Sequence, residues 1–191
     1  MKKIPVITVL ALFSIVGFSQ EKLNINTTKS TIKWSGEYAF YYGGHDGILN
    51  FKEGHFIKTN DVITGGEFII DMNSIQSQDM DNEDARTDLD NHLKNEDFFD
   101  VRKFPIAQLV FTNVIYESKR RLKIYANLTI KSITHPVNFV ADVDYDKKEM
   151  TTRFKIDRTR WGVTYNSKEI EGKLKDGLIS DAIGFDVKLS L

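Results

Sequence analysis

From Thr31 to Leu191, apolar and polar residues alternate repeatedly with a period of two, the pattern of strands that bury one face and wet the other. Ile32, Trp34, Tyr38 and Phe40 share one parity, with Gly36 as a bend among them, and His45, Gly47, Leu49 and Phe51 share the next. Phe68, Ile70 and Met72 follow a turn signal at Thr64-Gly65-Gly66, and Ala107, Leu109 and Phe111 form a later group. Leu122, Ile124, Ala126, Leu128 and Ile130 come next, then Val137, Phe139 and Val143, then Phe154 and Ile156. The most regular run is the last: Asp181, Ile183, Phe185, Val187, Leu189 and Leu191. Polar turns such as Lys58-Thr59-Asn60-Asp61, Lys119-Arg120-Arg121 and Asp144 to Lys148 part about eight strands. An all-β, eight-stranded antiparallel barrel is expected, with an interior that side chains fill or that takes one small ligand. A two-sheet sandwich would show the same periodicity.

One stretch breaks the alternation. Between Gln78 and Asp97, Ala85, Arg86, Leu89 and Leu93 recur at helical spacing, which predicts a short helical insertion over about residues 80–95. Asp81, Asn82 or Asp84 is placed to cap its start. Phe98, Phe99 and Phe104 follow, closed by Pro105. A lone helix with an aromatic exit in an otherwise all-β chain suits a lid over one barrel end.

The N-terminus has a different character. Lys2 and Lys3 precede an uncharged, mostly apolar run from Ile4 to Phe18, with small residues near Ser19, which predicts a secretory signal peptide over 1–19 and a mature domain over 20–191. The apolar run is short of the ~20 residues a membrane span needs, so no integral membrane segment is expected after cleavage. Periplasmic or secreted location follows. The chain has no cysteine, so the folded domain relies on its core without disulfides. Removing the signal takes away two lysines and no acid, so 26 basic residues become 24 against 27 acidic ones, a net charge of −3. Basic and acidic residues interleave throughout, which argues against nucleic acid as a partner.

Catalytic chemistry finds little to use. There is no thiol and no Gly-x-Ser-x-Gly elbow, and His45, His55, His92 and His135 lack the close spacing of metal ligands, so neither a catalytic residue nor a metal site is expected. The acidic run from Asp79 to Asp90 resembles a calcium loop only superficially, with Asp84 where a glycine is required and Asp90 where a glutamate belongs. It is read as a solvated helix face. His45 on an inward parity needs a partner or a ligand head group. Of Asp157 and Arg158, adjacent in a strand, one faces inward near Trp161 and Tyr165; an inward Arg158 would either grip an anionic head group or make a structural ion pair. Aromatic residues make up 12% of the chain and recur on the inner face, as core or as a tunnel lining.

Four blocks resemble a known family in its order. They are His45-Asp46-Gly47 with Phe51 to Gly54 and Gly65 to Ile75; His92 to Pro105; Asn127 to Val137; and Ile156-Asp157-Arg158 through Trp161-Gly162 to Tyr165. Together they resemble the YceI-like domain over residues 27–191. Two positions depart from its usual pattern: Ser132 stands in place of glycine, and Leu109 in place of an aromatic residue. The resemblance implies a lipocalin-like barrel with a helical insertion, without enzymatic activity, holding a polyisoprenoid, isoprenoid quinone or fatty-acyl amphiphile in its tunnel. No cofactor is expected beyond such a lipid. The implied tunnel residues are Trp34, Tyr38, His45, Leu49, Phe51, Ile70, His92, Phe98, Phe99, Leu109, Phe111, Leu128, Ile130, Phe139, Arg158, Trp161 and Tyr165. A filled barrel that serves as a stress or partner-binding protein without lipid is the alternative, and pairing into a homodimer is left open.

Overall fold

A computed structural model of the chain describes residues 20–40, 42–167 and 178–191. The stretch 1–19, read from the sequence as a signal peptide, lies outside the described residues. Nine strands and one α-helix run in the order β1 (Gln20–Asn24), β2 (Thr31–Tyr38), β3 (Gly44–Thr59), β4 (Val62–Ser77), α1 (Glu83–Lys94), β5 (Ile106–Ser118), β6 (Arg121–Ile130), β7 (Ile133–Asp144), β8 (Glu149–Asp157) and β9 (Ile179–Ser190) among those residues. Every pairing is antiparallel. The ladder runs β3-β2-β9-β8-β7-β6-β5-β4, and β4 pairs again with β3, so eight strands close into the expected barrel. β1 is a ninth strand: it continues the edge that β2 leaves unpaired, matching Gln20–Asn24 to Thr59–His55.

Closure gives each strand one inner face. Leu122, Ile124, Ala126, Leu128 and Ile130 are all buried along β6, while the residues between them are partly or fully exposed. In β3 the alternation switches once: the register shifts between Phe51 and Glu53, and this bulge lets Leu49 and Phe51 face inward before it and Phe56 after it. The β3–β4 turn is Asn60-Asp61, both in the left-handed region, and not Thr64-Gly65-Gly66, which lies inside β4. Gly66 is there for packing, since a Cβ on it would come within 3.0 Å of the Phe68 ring. Phe68 stands at the centre of the inner aromatic cluster, 5.2 Å from Phe56, 5.3 Å from Phe111 and 6.3 Å from Phe51 between ring centroids.

The strand directions sort the connections between two barrel ends. The β3–β4, β5–β6 and β7–β8 hairpins lie at one end, where Arg120 and Arg121 pair with Asp146 and Asp142 in solvent, as expected of a solvated turn. The β2–β3 hairpin, the α1 segment, the Lys131-Ser132 turn and the segment after β8 lie at the other. Ser132 has φ 60°, a left-handed conformation in which a glycine, the residue the resemblance leads one to expect there, would be unstrained.

Candidate functional site

The inner faces of the barrel do not meet everywhere. A cavity of about 280 Å³ runs from Met150 and Leu189 in the barrel interior to Tyr38, His45 and α1 at the second end. That is near the ~300 Å³ at which small-molecule pockets begin, and about twice the ~150 Å³ apolar cavity that admits benzene. Its wall is almost wholly hydrocarbon. Phe139 stacks on Phe154 with centroids 4.7 Å apart, Phe185 lies tilted beside Phe154 at 5.4 Å, and Phe51, Phe68 and Phe111 face into the same space.

Sixteen of the seventeen residues named from sequence line this cavity: Trp34, Tyr38, His45, Leu49, Phe51, Ile70, His92, Phe98, Phe99, Leu109, Phe111, Leu128, Ile130, Phe139, Arg158 and Tyr165. Trp161 does not. It is fully buried behind the wall, where its indole N–H donates to the Leu128 carbonyl at 3.1 Å and its ring packs edge-on against His135. The chain leaves β8 at Asp157 for a 3-10 turn over Arg158–Trp161, so strand parity no longer says which way a side chain points. Phe40, placed on the inward parity of β2, lies beyond that strand's end and is exposed.

Trp34 lies over Gly47 on the neighbouring strand, where a Cβ would come within 2.7 Å of the indole. Its Nε1 is buried with no hydrogen-bond partner among the described residues. Sequence reasoning passed over several lining residues of the right parity. Ile183, Phe185, Val187 and Leu189 belonged to the most regular alternation in the chain, which is the signal that could have found them. Gly36 gave no such signal, because it has no side chain to read.

Both histidines at the cavity's end have carboxylate partners. His45 Nδ1 lies 3.0 Å from Asp79 Oδ2, and His92 Nε2 lies 3.2 Å from Asp97 Oδ2, while the His92 ring packs edge-on against Phe98 and Tyr165. Arg158 is 2% exposed and spends its donors on the backbone: Nε to the Ser180 carbonyl at 3.0 Å, Nη1 to Val163 at 2.8 Å and Nη2 to Ile179 at 3.2 Å. Asp181 stands 3.8 Å away. Burial pulls the Arg158 pKa below the ordinary guanidinium value, and the Asp181 and Asp157 charges oppose that shift. Of the two roles expected for Arg158, its contacts are those of the structural one, with Asp181 and three carbonyls in place of Asp157. Among the described residues, no group of three or more His, Asp or Glu is placed to hold a metal.

The helical segment covers this end. α1 is capped by Asn82, whose side chain accepts the Ala85 N–H at 2.9 Å, and it turns Leu89, His92 and Leu93 toward the cavity. At its exit the Lys131 ammonium donates to the Phe98 carbonyl at 2.9 Å. The acidic run is not purely a solvated face. Asp90 Oδ1 accepts both the N–H and the hydroxyl of fully buried Ser77, at 2.7 and 2.6 Å, and so ties the helix to the end of β4. Asp90→Ala leaves both donors without an acceptor. We expect it to loosen the lid by about 2–3 kcal/mol, measured as faster hydrogen exchange of the α1 amides while the barrel amides keep their protection.

Comparison with known proteins agrees with this architecture. A UPF0312 protein of Vibrio vulnificus is 26% identical over 155 residues, 74% of each chain. UPF0312 proteins of Pseudomonas putida are 33% identical over 60 residues, 31% of each chain. Among solved structures, Burkholderia cenocepacia BcnA superposes with a TM-score of 0.62 at 16% identity, covering 86% of this chain and 98% of its own. The Campylobacter jejuni YceI protein superposes with a TM-score of 0.51 at 18% identity, covering 92% and 90%. These structural likenesses concern the fold. The sequence model of the YceI-like domain matches residues 23–191, nearly the whole barrel from β1 to the C-terminus, and the chain therefore belongs to the YceI-like family.

Proposed function

We propose that this protein is an exported, non-enzymatic carrier or store that holds the tail of an amphiphilic lipid along the barrel axis. The polyisoprenoid, isoprenoid quinone and fatty-acyl classes are the candidates. The observation that carries the reading is the continuous apolar cavity beneath the α1 lid. A closed barrel could have filled its interior with side chains, as the competing stress-protein reading requires. An unfilled hydrocarbon-lined space forgoes packing contacts, and a ligand tail restores them. Each buried methylene contributes about 0.8 kcal/mol, so ten carbons give roughly 8 kcal/mol before ordering costs are subtracted. With Arg158 consumed by the backbone, contacts to the head group fall to the paired His45 and His92 at the cavity's end. Location in the periplasm or outside the cell rests on residues 1–19.

Organic extraction of protein purified without detergent, followed by mass spectrometry, tests the cargo. One lipid class near one molecule per chain is the expected result. An extract empty of lipid at full protein recovery would favour the filled-barrel alternative. Intact mass of the same sample reads the N-terminus, and a mature chain that still starts at Met1 would remove the basis for export.

A further inference from the structure

The hairpin between β2 and β3 carries an uncharged, aromatic tip in which Tyr38, Ala39, Phe40, Tyr42, Gly43 and Gly44 are described. Tyr38 is 39% exposed, Phe40 59% and Tyr42 107%, so three rings within five residues stand in water. Soluble proteins seldom leave such a cluster uncovered without a use for it. The base of the tip is fixed. Tyr38 N–H donates to the Gly43 carbonyl at 3.1 Å, and Ala39 N–H donates to the Leu178 carbonyl at 2.9 Å, beside the start of β9. Tyr38, Gly44 and His45 at that base also line the cavity's end, so the exposed rings rise beside the place where a tail would enter or leave.

We propose that this tip is a docking surface for a neutral, zwitterionic lipid bilayer, holding the end of the cavity against the membrane while an amphiphile passes between them. The inference rests on the carrier reading above. Phenylalanine and tyrosine suit the membrane–water boundary, with an apolar ring in the acyl region and, for tyrosine, a hydroxyl left among the head groups. A second copy of this chain fits the tip less well. The exposed fractions amount to about two whole rings, at most ~500 Å², against the ~800 Å² per partner of a stable interface. Charge selects the kind of bilayer. Glu37 and Asp46 flank the tip, and the lid entry, tied to its base by the His45–Asp79 pair, carries six acids from Asp79 to Asp90 against Arg86 alone. These acids, next to the tip itself, disfavour an anionic surface there.

The test is vesicle flotation with the mature chain, paired with retention of a fluorescent fatty-acyl probe in vesicle-free buffer. Wild-type protein should float with phosphatidylcholine vesicles. Mixing in phosphatidylglycerol at low salt should weaken flotation, and added salt should restore it. The double substitution Phe40→Ser, Tyr42→Ser replaces no cavity-lining residue; it should reduce partitioning at least tenfold, keep the probe, and leave thermal unfolding unchanged. The proposal is overturned if wild-type protein does not float, if the double variant floats as well as wild type, or if it loses the probe along with the vesicles. Sedimentation showing a dimer that the double substitution dissolves would assign the tip to a second copy and overturn it too. Loss of the probe from wild type and variant alike would sink the carrier reading, and flotation would still decide the docking surface independently.

Discussion

Gly36→Phe is expected to weaken lipid binding about 100-fold while leaving the barrel as stable as before. Gly36 lies in β2 and lines the cavity, yet a Cβ built on it meets no atom within 4 Å. Its φ is outside the left-handed region, so any residue adopts its backbone conformation. A phenylalanine there projects into space that the proposed tail occupies. Excluding three or four methylenes removes about 3 kcal/mol at ~0.8 kcal/mol each, which is two decades in dissociation constant. The folded protein loses no contact, and a strand glycine replaced by an aromatic residue gains in propensity and in chain entropy. Titration with a fluorescent fatty-acyl probe measures the first effect, and thermal unfolding the second. Unchanged affinity in a folded variant would mean that the tail does not run past β2. A steric plug separates these questions better than a charge placed at Phe111 or Leu128, which are themselves core residues whose loss costs stability.

The barrel was legible because burial of one strand face is a local property. β6 shows it most plainly, with buried positions that can be read by counting in twos, and in β9 the same count picks out Ile183, Phe185, Val187 and Leu189, which line the cavity. Three kinds of information were not local. The bulge in β3 reverses parity after Phe51, so Phe56, one of the most buried residues, sits on the face that simple counting calls wet. β1, with Leu23 as its sole apolar residue, has no alternation; it forms because β3 is longer than β2 and offers a free edge at 55–59. The acids of the lid read as solvent-facing because nothing in their own segment announces a partner. Asp90 finds Ser77 across 13 residues and Asp79 finds His45 across 34. The size of the cavity was the least legible feature. It depends on how far Phe51, Phe111 and Phe139 reach from opposite strands, a sum that periodicity does not contain.

Arg158 is where the legible and the illegible meet, and it carries the largest expected loss of stability. Parity said only that one of Asp157 and Arg158 faces inward, and the structure turns Arg158 in. An inward guanidinium beside an apolar tunnel admits two roles, and they predict opposite experiments. As a strut, it joins the end of β8 to the start of β9 and to the Val163 carbonyl, holding the barrel closed next to the cavity's end. Arg158→Met keeps much of the volume but strips the Ser180, Ile179 and Val163 carbonyls of a donor and deprives Asp181 of its nearby charge. Breaking a buried charged network in this way costs about 3–5 kcal/mol. With a urea m-value near 2 kcal/mol/M, the unfolding midpoint should fall by about 1.5–2.5 M. Arg158→Lys should recover little of this, because one ammonium cannot reach three divergent carbonyls that a planar fork reaches at once. As a head-group ligand, Arg158 would show the reverse pattern: a midpoint close to wild type, weaker binding of an anionic amphiphile, and partial rescue by lysine, which also supplies a positive charge. Three short carbonyl contacts on a nearly inaccessible side chain favour the strut, so the loss should appear in the denaturation curve before it appears in any binding curve.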